Sequence, residues 1–227
     1  MSSRGRRAEA ISVTVRTGRG MPLAGASVAG RVGELLAIVG PPESGKSTLL
    51  RVLAGDVAPT SGEVRIAGRD ARELRPRERA LLRAVLPQNE AASSPSTVRE
   101  AVRYGRATYG RVDRAADSVV AEVLSATGTA HLATRVCAEL TVDQRCRVAL
   151  ARLLAQRAPL LLLDEPLAAL DREGRTRVLS ALRDRTRSGD TVVIALRDLD
   201  LATTLADRVA VLDHGRVRDL DAPAMLS

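Results

Sequence analysis

Apolar positions along this 227-residue chain follow two rhythms. Residues 11–16 (ISVTVR) and 63–67 (EVRIA) alternate apolar and polar, as a strand with one buried face does, and Ser61-Gly62 and Gly68 bracket the second with turn residues. These two predict an antiparallel β layer. Residues 35–39 (LLAIV), 160–163 (LLLL) and 192–196 (VVIAL) are instead unbroken apolar runs, which suit strands covered on both faces in a parallel sheet. Helical patterns lie between them: 46–54, ended by Gly55; 144–156, with apolar residues at Val148, Leu150, Leu153 and Leu154; and 172–187, charged and amphipathic. A further helical stretch, 97–134, is broken at Gly105, Gly110 and Gly128. The expected architecture is an α/β domain over 11–227, with a mainly parallel sheet core, an antiparallel β subdomain and a helical subdomain inserted at about 90–155. Residues 1–10, rich in Arg and Ser, are expected to form a disordered N-terminus.

Composition narrows the function classes. At 45% hydrophobic and 27% charged residues the chain reads as globular. No apolar run approaches the roughly 18–20 residues that span a bilayer, and residues 1–10 lack the apolar stretch of a signal peptide. A cytoplasmic location is the resulting expectation. The net charge of +8 invites a nucleic-acid reading, but Phe and Trp are absent and Tyr104 and Tyr109 are the only aromatics on which a base could stack. No nucleic-acid partner is therefore expected. Cys137 and Cys146 stand nine apart without a second pair or a histidine cluster, so they predict free thiols and no metal site. Of the 35 basic side chains only Lys46 is a lysine, which directs attention to its surroundings.

Those surroundings read Gly40-Pro41-Pro42-Glu43-Ser44-Gly45-Lys46-Ser47-Thr48, a G-x-x-x-x-G-K-[ST] pattern between the strand 35–39 and the helix from 46. Glycine lets successive backbone N–H groups converge on phosphate oxygens, and the helix adds its N-terminal dipole. Lys46 would neutralise the β- and γ-phosphates of ATP, and Ser47 would place its hydroxyl on Mg²⁺. Pro42 and Glu43 depart from the ideal loop, since proline removes an N–H and Glu43 brings a carboxylate near phosphate.

The run 160–163 ends in Asp164-Glu165-Pro166. Two carboxylates at the carboxyl end of a buried parallel strand stand where ligands bind in such sheets. Asp164 is expected to hold the hydration shell of Mg²⁺, and Glu165 to orient or deprotonate the attacking water.

With these motifs in place the chain resembles the ATP-binding subunits of ABC transporters over roughly 11–220. The elements come in the family's order: the phosphate loop, Leu86-Pro87-Gln88 like the Q-loop, Leu140 to Arg147 at the signature position, Pro159 to Pro166, and Ala169-Leu170-Asp171 like the D-loop. Arg79 to Gln88 and Thr97 to Arg106 look most like haem and iron-siderophore importers. The resemblance implies a P-loop NTPase cassette that binds ATP with Mg²⁺ and hydrolyses it. It implies a second cassette as partner, in a homo- or heterodimer, and a separate integral-membrane permease subunit, so that the chain would lie peripherally on the inner face of the membrane. It also implies that Gln88 contacts Mg²⁺ or the attacking water, that Thr141 offers a hydroxyl to the partner's ATP, and that Asp171 crosses the dimer interface.

Three positions depart from the family. The signature Leu-Ser-Gly-Gly-Gln reads Leu140-Thr141-Val142-Asp143-Gln144, which sets a carboxylate where the resemblance implies close approach to a partner's γ-phosphate. Arg197 occupies the switch-histidine position, where a permanently charged side chain would either hold the γ-phosphate or pair with Glu165. Thr17 stands where an aromatic usually stacks on adenine. The alternative function is a catalytically impaired regulatory partner of an active cassette.

Overall fold

The computed structural model describes residues 5–18, 20–88, 95–110 and 113–220. Two sheets form its frame. The first joins β1 (Arg6–Thr17), β2 (Gly20–Arg31), β4 (Ser61–Ile66) and β5 (Arg69–Asp70) in the order β2-β1-β4-β5, all antiparallel. The second joins β3 (Leu35–Val39), β6 (Arg83–Leu86), β7 (Leu160–Asp164), β8 (Thr191–Leu196), β9 (Arg208–Asp213) and β10 (Arg216–Leu220) in the order β10-β9-β3-β8-β7-β6. Every pairing in it is parallel except the edge pair β10-β9.

The unbroken apolar runs have a direct cause, because each buries alternate residues in a different core. Leu35, Ala37, Val39, Leu161 and Leu163 face a core formed with the helices α3 (Val98–Tyr104), α4 (Ala116–Ala126), α5 (Val142–Ala155) and α6 (Arg172–Arg187). Leu36, Ile38, Leu160 and Leu162 face α1 (Lys46–Leu53) and the antiparallel sheet. With both faces buried, no polar alternation survives. Two shorter α-helices, α2 (Pro76–Leu82) and α7 (Leu199–Leu205), are also present among the described residues.

The expected disordered N-terminus needs correction at 6–10. These residues form the first half of β1, pairing Ala8 with Gly30 and with Ile66. Ala8 and Ala10 are buried, and Glu9 accepts from Arg6 at 2.9 Å. Alanine is small enough to sit under the sheet yet too weakly apolar to mark a strand, and a register shift between Ala10 and Val13 breaks the alternation. Residues 1–4 lie outside the described residues. The helices α3, α4 and α5 fall between 98 and 155; residues 89–94 and 111–112 are also outside the described residues.

Candidate active site at the carboxyl ends of the parallel strands

Strand order decides which side chains meet. Running β3-β8-β7-β6, the carboxyl ends present in turn the loop 40–45, Arg197, the pair Asp164-Glu165, and Gln88. Residues far apart in sequence thus line one cleft, which includes Lys46, Ser47, Gln88, Glu165 and Arg197. Pro22, from the antiparallel sheet, closes one side; nothing in the local sequence marks it.

The loop conformation depends on two glycines. A Cβ on Gly40 would lie 2.2 Å from the Leu212 carbonyl oxygen, and one on Gly45 would lie 2.3 Å from that of Pro22. Gly45 also has φ +102°, a left-handed conformation that starts α1 at Lys46. Glu43 takes positive φ at 62° despite its side chain. The Lys46 ammonium donates to the carbonyls of Gly40 at 2.7 Å and Pro41 at 2.8 Å, which folds it over its own loop. Burial pushes its pKa down, Glu165 and Asp164 oppose that, and Arg197 adds to it. Pro41, Pro42, Ser44 and Thr48 complete the loop, and the Ser44 hydroxyl is buried without a hydrogen-bond partner.

Asp164 ends β7, buried, and its Oδ1 has no hydrogen-bond partner. Burial pushes its carboxyl pKa up; a hydrogen bond with Ser47 and the positive charges of Lys46 and Arg197 pull it back, while Glu165 adds to the rise. An unsatisfied carboxylate oxygen beside a serine hydroxyl fits a hard, oxygen-seeking dication such as Mg²⁺ that keeps most of its own water. Glu165 follows with φ 48°, its N–H donating to the Ala195 carbonyl at 3.1 Å. This backbone bond to β8 aims its side chain along the sheet edge at Arg197, whose Nε donates to Oε1 at 2.7 Å. The Glu165 side chain is only 10% exposed and that of Arg197 is 60% exposed. The candidate base is thus held by a side chain that solvent can reach.

The signature-position residues lie elsewhere. Thr141 caps α5: its hydroxyl accepts from the Gln144 N–H at 3.3 Å, and the Gln144 side-chain Oε1 accepts from the Thr141 N–H at 3.1 Å. Val142 is exposed at the tip. Asp143 is engaged within the chain, accepting from Arg147 Nε at 2.9 Å and from a second Arg147 nitrogen at 2.5 Å. Thr17 closes the β1–β2 turn and donates to the Gly20 carbonyl at 3.3 Å.

A phosphate loop between a buried strand and a helix, with carboxylates at the end of a neighbouring parallel strand, defines a P-loop nucleotide-binding protein. The ABC transporter family model matches residues 10–168, and the chain belongs to that family as its ATP-binding, ATP-hydrolysing cassette. It is 50% identical over 212 residues to the hemin import ATP-binding protein HmuV of Streptomyces coelicolor, covering 92% of this chain and 76% of that one. It is 42% identical over 196 residues to the cobalamin import ATP-binding protein BtuD of Halobacterium salinarum, covering 85% of this chain and 49% of that one. Among solved structures it resembles the ATP-binding cassette MJ0796 in a dimeric post-hydrolysis state bound to ADP and Pi, with a TM-score of 0.84 and 26% identity over 94% of this chain and 98% of that one.

Proposed function

We propose that this chain drives import of a metal-bearing tetrapyrrole, haem foremost, by hydrolysing ATP on the inner face of a membrane. It works through a separate integral-membrane permease and pairs with a second cassette. The strand order that gathers Lys46, Asp164, Glu165 and Gln88 in one cleft carries the nucleotide chemistry. The relatives named for hemin and cobalamin import support the cargo class, since both molecules are metal-bearing macrocycles. Among the described residues no helix is long and apolar enough to cross a membrane, which accords with a partner that supplies the passage.

In the reaction, the loop 40–48 binds the phosphates through backbone N–H groups, and Lys46 leaves its carbonyl partners to meet the β- and γ-phosphates. Ser47, Asp164 and Gln88 would hold Mg²⁺, which would supply charge neutralisation on the phosphates. Glu165 accepts the proton of the attacking water once Arg197 releases it. Thr141 faces the nucleotide of the second cassette. The Arg197–Glu165 pair favours a second reading, in which the chain binds ATP but turns over slowly as the restrained half of a heterodimer.

The binding step is tested by titrating Mg·ATP into the full chain and into Lys46→Ala. The substitution is expected to weaken binding at least about tenfold, roughly 1.4 kcal/mol; equal affinities would remove Lys46 from the site. Haem uptake into vesicles holding the chain and its permease, dependent on ATP, tests the cargo; uptake of another metal chelate but not haem would replace it.

A further inference from the structure

Asp143 has a second engagement that ties together two helices. Its Oδ1 accepts from the backbone N–H of Asp171 at 3.3 Å, while its Oδ2 takes both nitrogens of Arg147. Asp171 caps α6, accepting from the Gly174 N–H at 2.6 Å. A side chain at 174 would have to displace these carboxylates from their present places. A Cβ there would lie 2.9 Å from Asp143 Oδ1, 3.1 Å from Asp171 Oδ1 and 3.4 Å from Arg147 Cδ. The Asp143–Arg147 pair is largely shielded, with side chains 20% and 13% exposed. Asp143 sits in the first turn of α5 and Asp171 at the N-cap of α6, where the helix dipoles favour negative charge.

The position of this junction matters for chemistry. From Asp171 the chain runs back to Glu165 through two tight turns, Leu170 N–H to the Leu167 carbonyl at 3.3 Å and Ala168 N–H to the Glu165 carbonyl at 3.3 Å. Leu167 and Leu170 are buried, so this segment has little freedom of its own. One end carries the candidate base and the other is pinned to the start of α5.

We infer that Asp143 is a positioning residue, a latch that fixes the start of α5 to the loop 165–171 and thereby sets Glu165. This rests on the ATPase reading above. It reverses what charge alone suggests for this position, because the carboxylate is spent inside the chain and Val142 is what the tip of α5 exposes. Gly174 is the complementary half of the latch.

Two measurements on the full chain test it. The first is a double-mutant cycle of melting temperature with Asp143→Ala and Gly174→Ala. The latch predicts that Gly174→Ala is markedly less favourable in the wild-type background than beside Asp143→Ala, because the methyl group then meets one carboxylate fewer. Additive shifts overturn the inference. The second is steady-state ATPase kinetics. Asp143→Ala is expected to lower kcat at least about threefold with KM for ATP little changed, because the phosphate loop is untouched. Asp143→Asn keeps an oxygen for the Asp171 N–H and is expected to recover most of the loss. An unchanged or raised kcat in Asp143→Ala overturns the positioning role. If the wild-type chain hydrolyses no ATP, the ATPase reading fails, and the melting cycle still decides the latch.

Discussion

Burial works against both charges at the heart of the site, pushing the Lys46 ammonium down and the Asp164 carboxyl up. For Asp164 the consequence for stability has a definite sign. The folded chain holds the proton more tightly than the unfolded chain does, so the ionised form costs stability above the folded pKa and the cost fades as pH falls through it. Asp164→Asn keeps the shape and removes the charge. In metal-free protein at neutral pH it is expected to raise the melting temperature, while turnover with Mg·ATP falls sharply; a lower melting temperature would show that the carboxylate is satisfied. Arg197 presents the opposite case. Solvent-reachable ion pairs contribute little to stability, so replacing Arg197 leaves stability nearly unchanged, and any change in rate reports on Glu165.

At the scale of elements, two contacts fix how the helical insertion and the sheets sit. Gly105 ends α3 against α5, where a Cβ would lie 2.2 Å from the Arg152 backbone oxygen. Gly105→Ala must push two helices apart and is expected to cost about 1–3 kcal/mol, read by denaturant unfolding; an unchanged midpoint would mean the helices slide freely. Arg208, at the start of β9, donates to both oxygens of buried Glu34 at 2.9 and 3.2 Å and also to the Ala29 carbonyl. Arg208→Met would leave the Glu34 carboxylate with the Arg31 N–H at 2.8 Å and the Arg31 guanidinium at 3.9 Å, and is expected to cost about 1–3 kcal/mol, whereas Glu34→Gln with Arg208→Met should recover part of it. The buried Arg208 also shows why β9 is hard to read: it puts a charge where the pattern demands an apolar residue. Strand β2 hides for another reason, since its Gly and Ala residues carry little β preference and its place is set by pairing with β1. By contrast β3, β7 and β8 are legible because double-sided burial leaves an unmistakable run. The phosphate loop and the Asp164-Glu165 pair are legible for a related reason, each being contiguous in sequence. The choice between the two roles open to Arg197, and the direction in which Asp143 turns, depend on strand order and on α5 meeting α6, which no local pattern encodes.

On the scale of the whole molecule, the cleft and the insertion present different surfaces. Tyr104, at the end of α3, is 73% exposed, and aromatic side chains are favoured anchors at interfaces. Tyr104→Cys, joined to a short crosslinker in native membranes, is expected to capture an integral-membrane protein; capture of soluble proteins alone would contradict the permease partner. The central claim is that the chain hydrolyses ATP through Glu165 and that Arg197 holds this group back. The most direct measurement is phosphate release by the full chain under saturating Mg·ATP, compared with Arg197→His and Glu165→Gln. Because neutral histidine both donates and accepts, Arg197→His frees the base, and the rate is expected to rise. The account predicts slow wild-type release, a faster Arg197→His and no turnover in Glu165→Gln. A slower Arg197→His, or turnover that persists in Glu165→Gln, would contradict it.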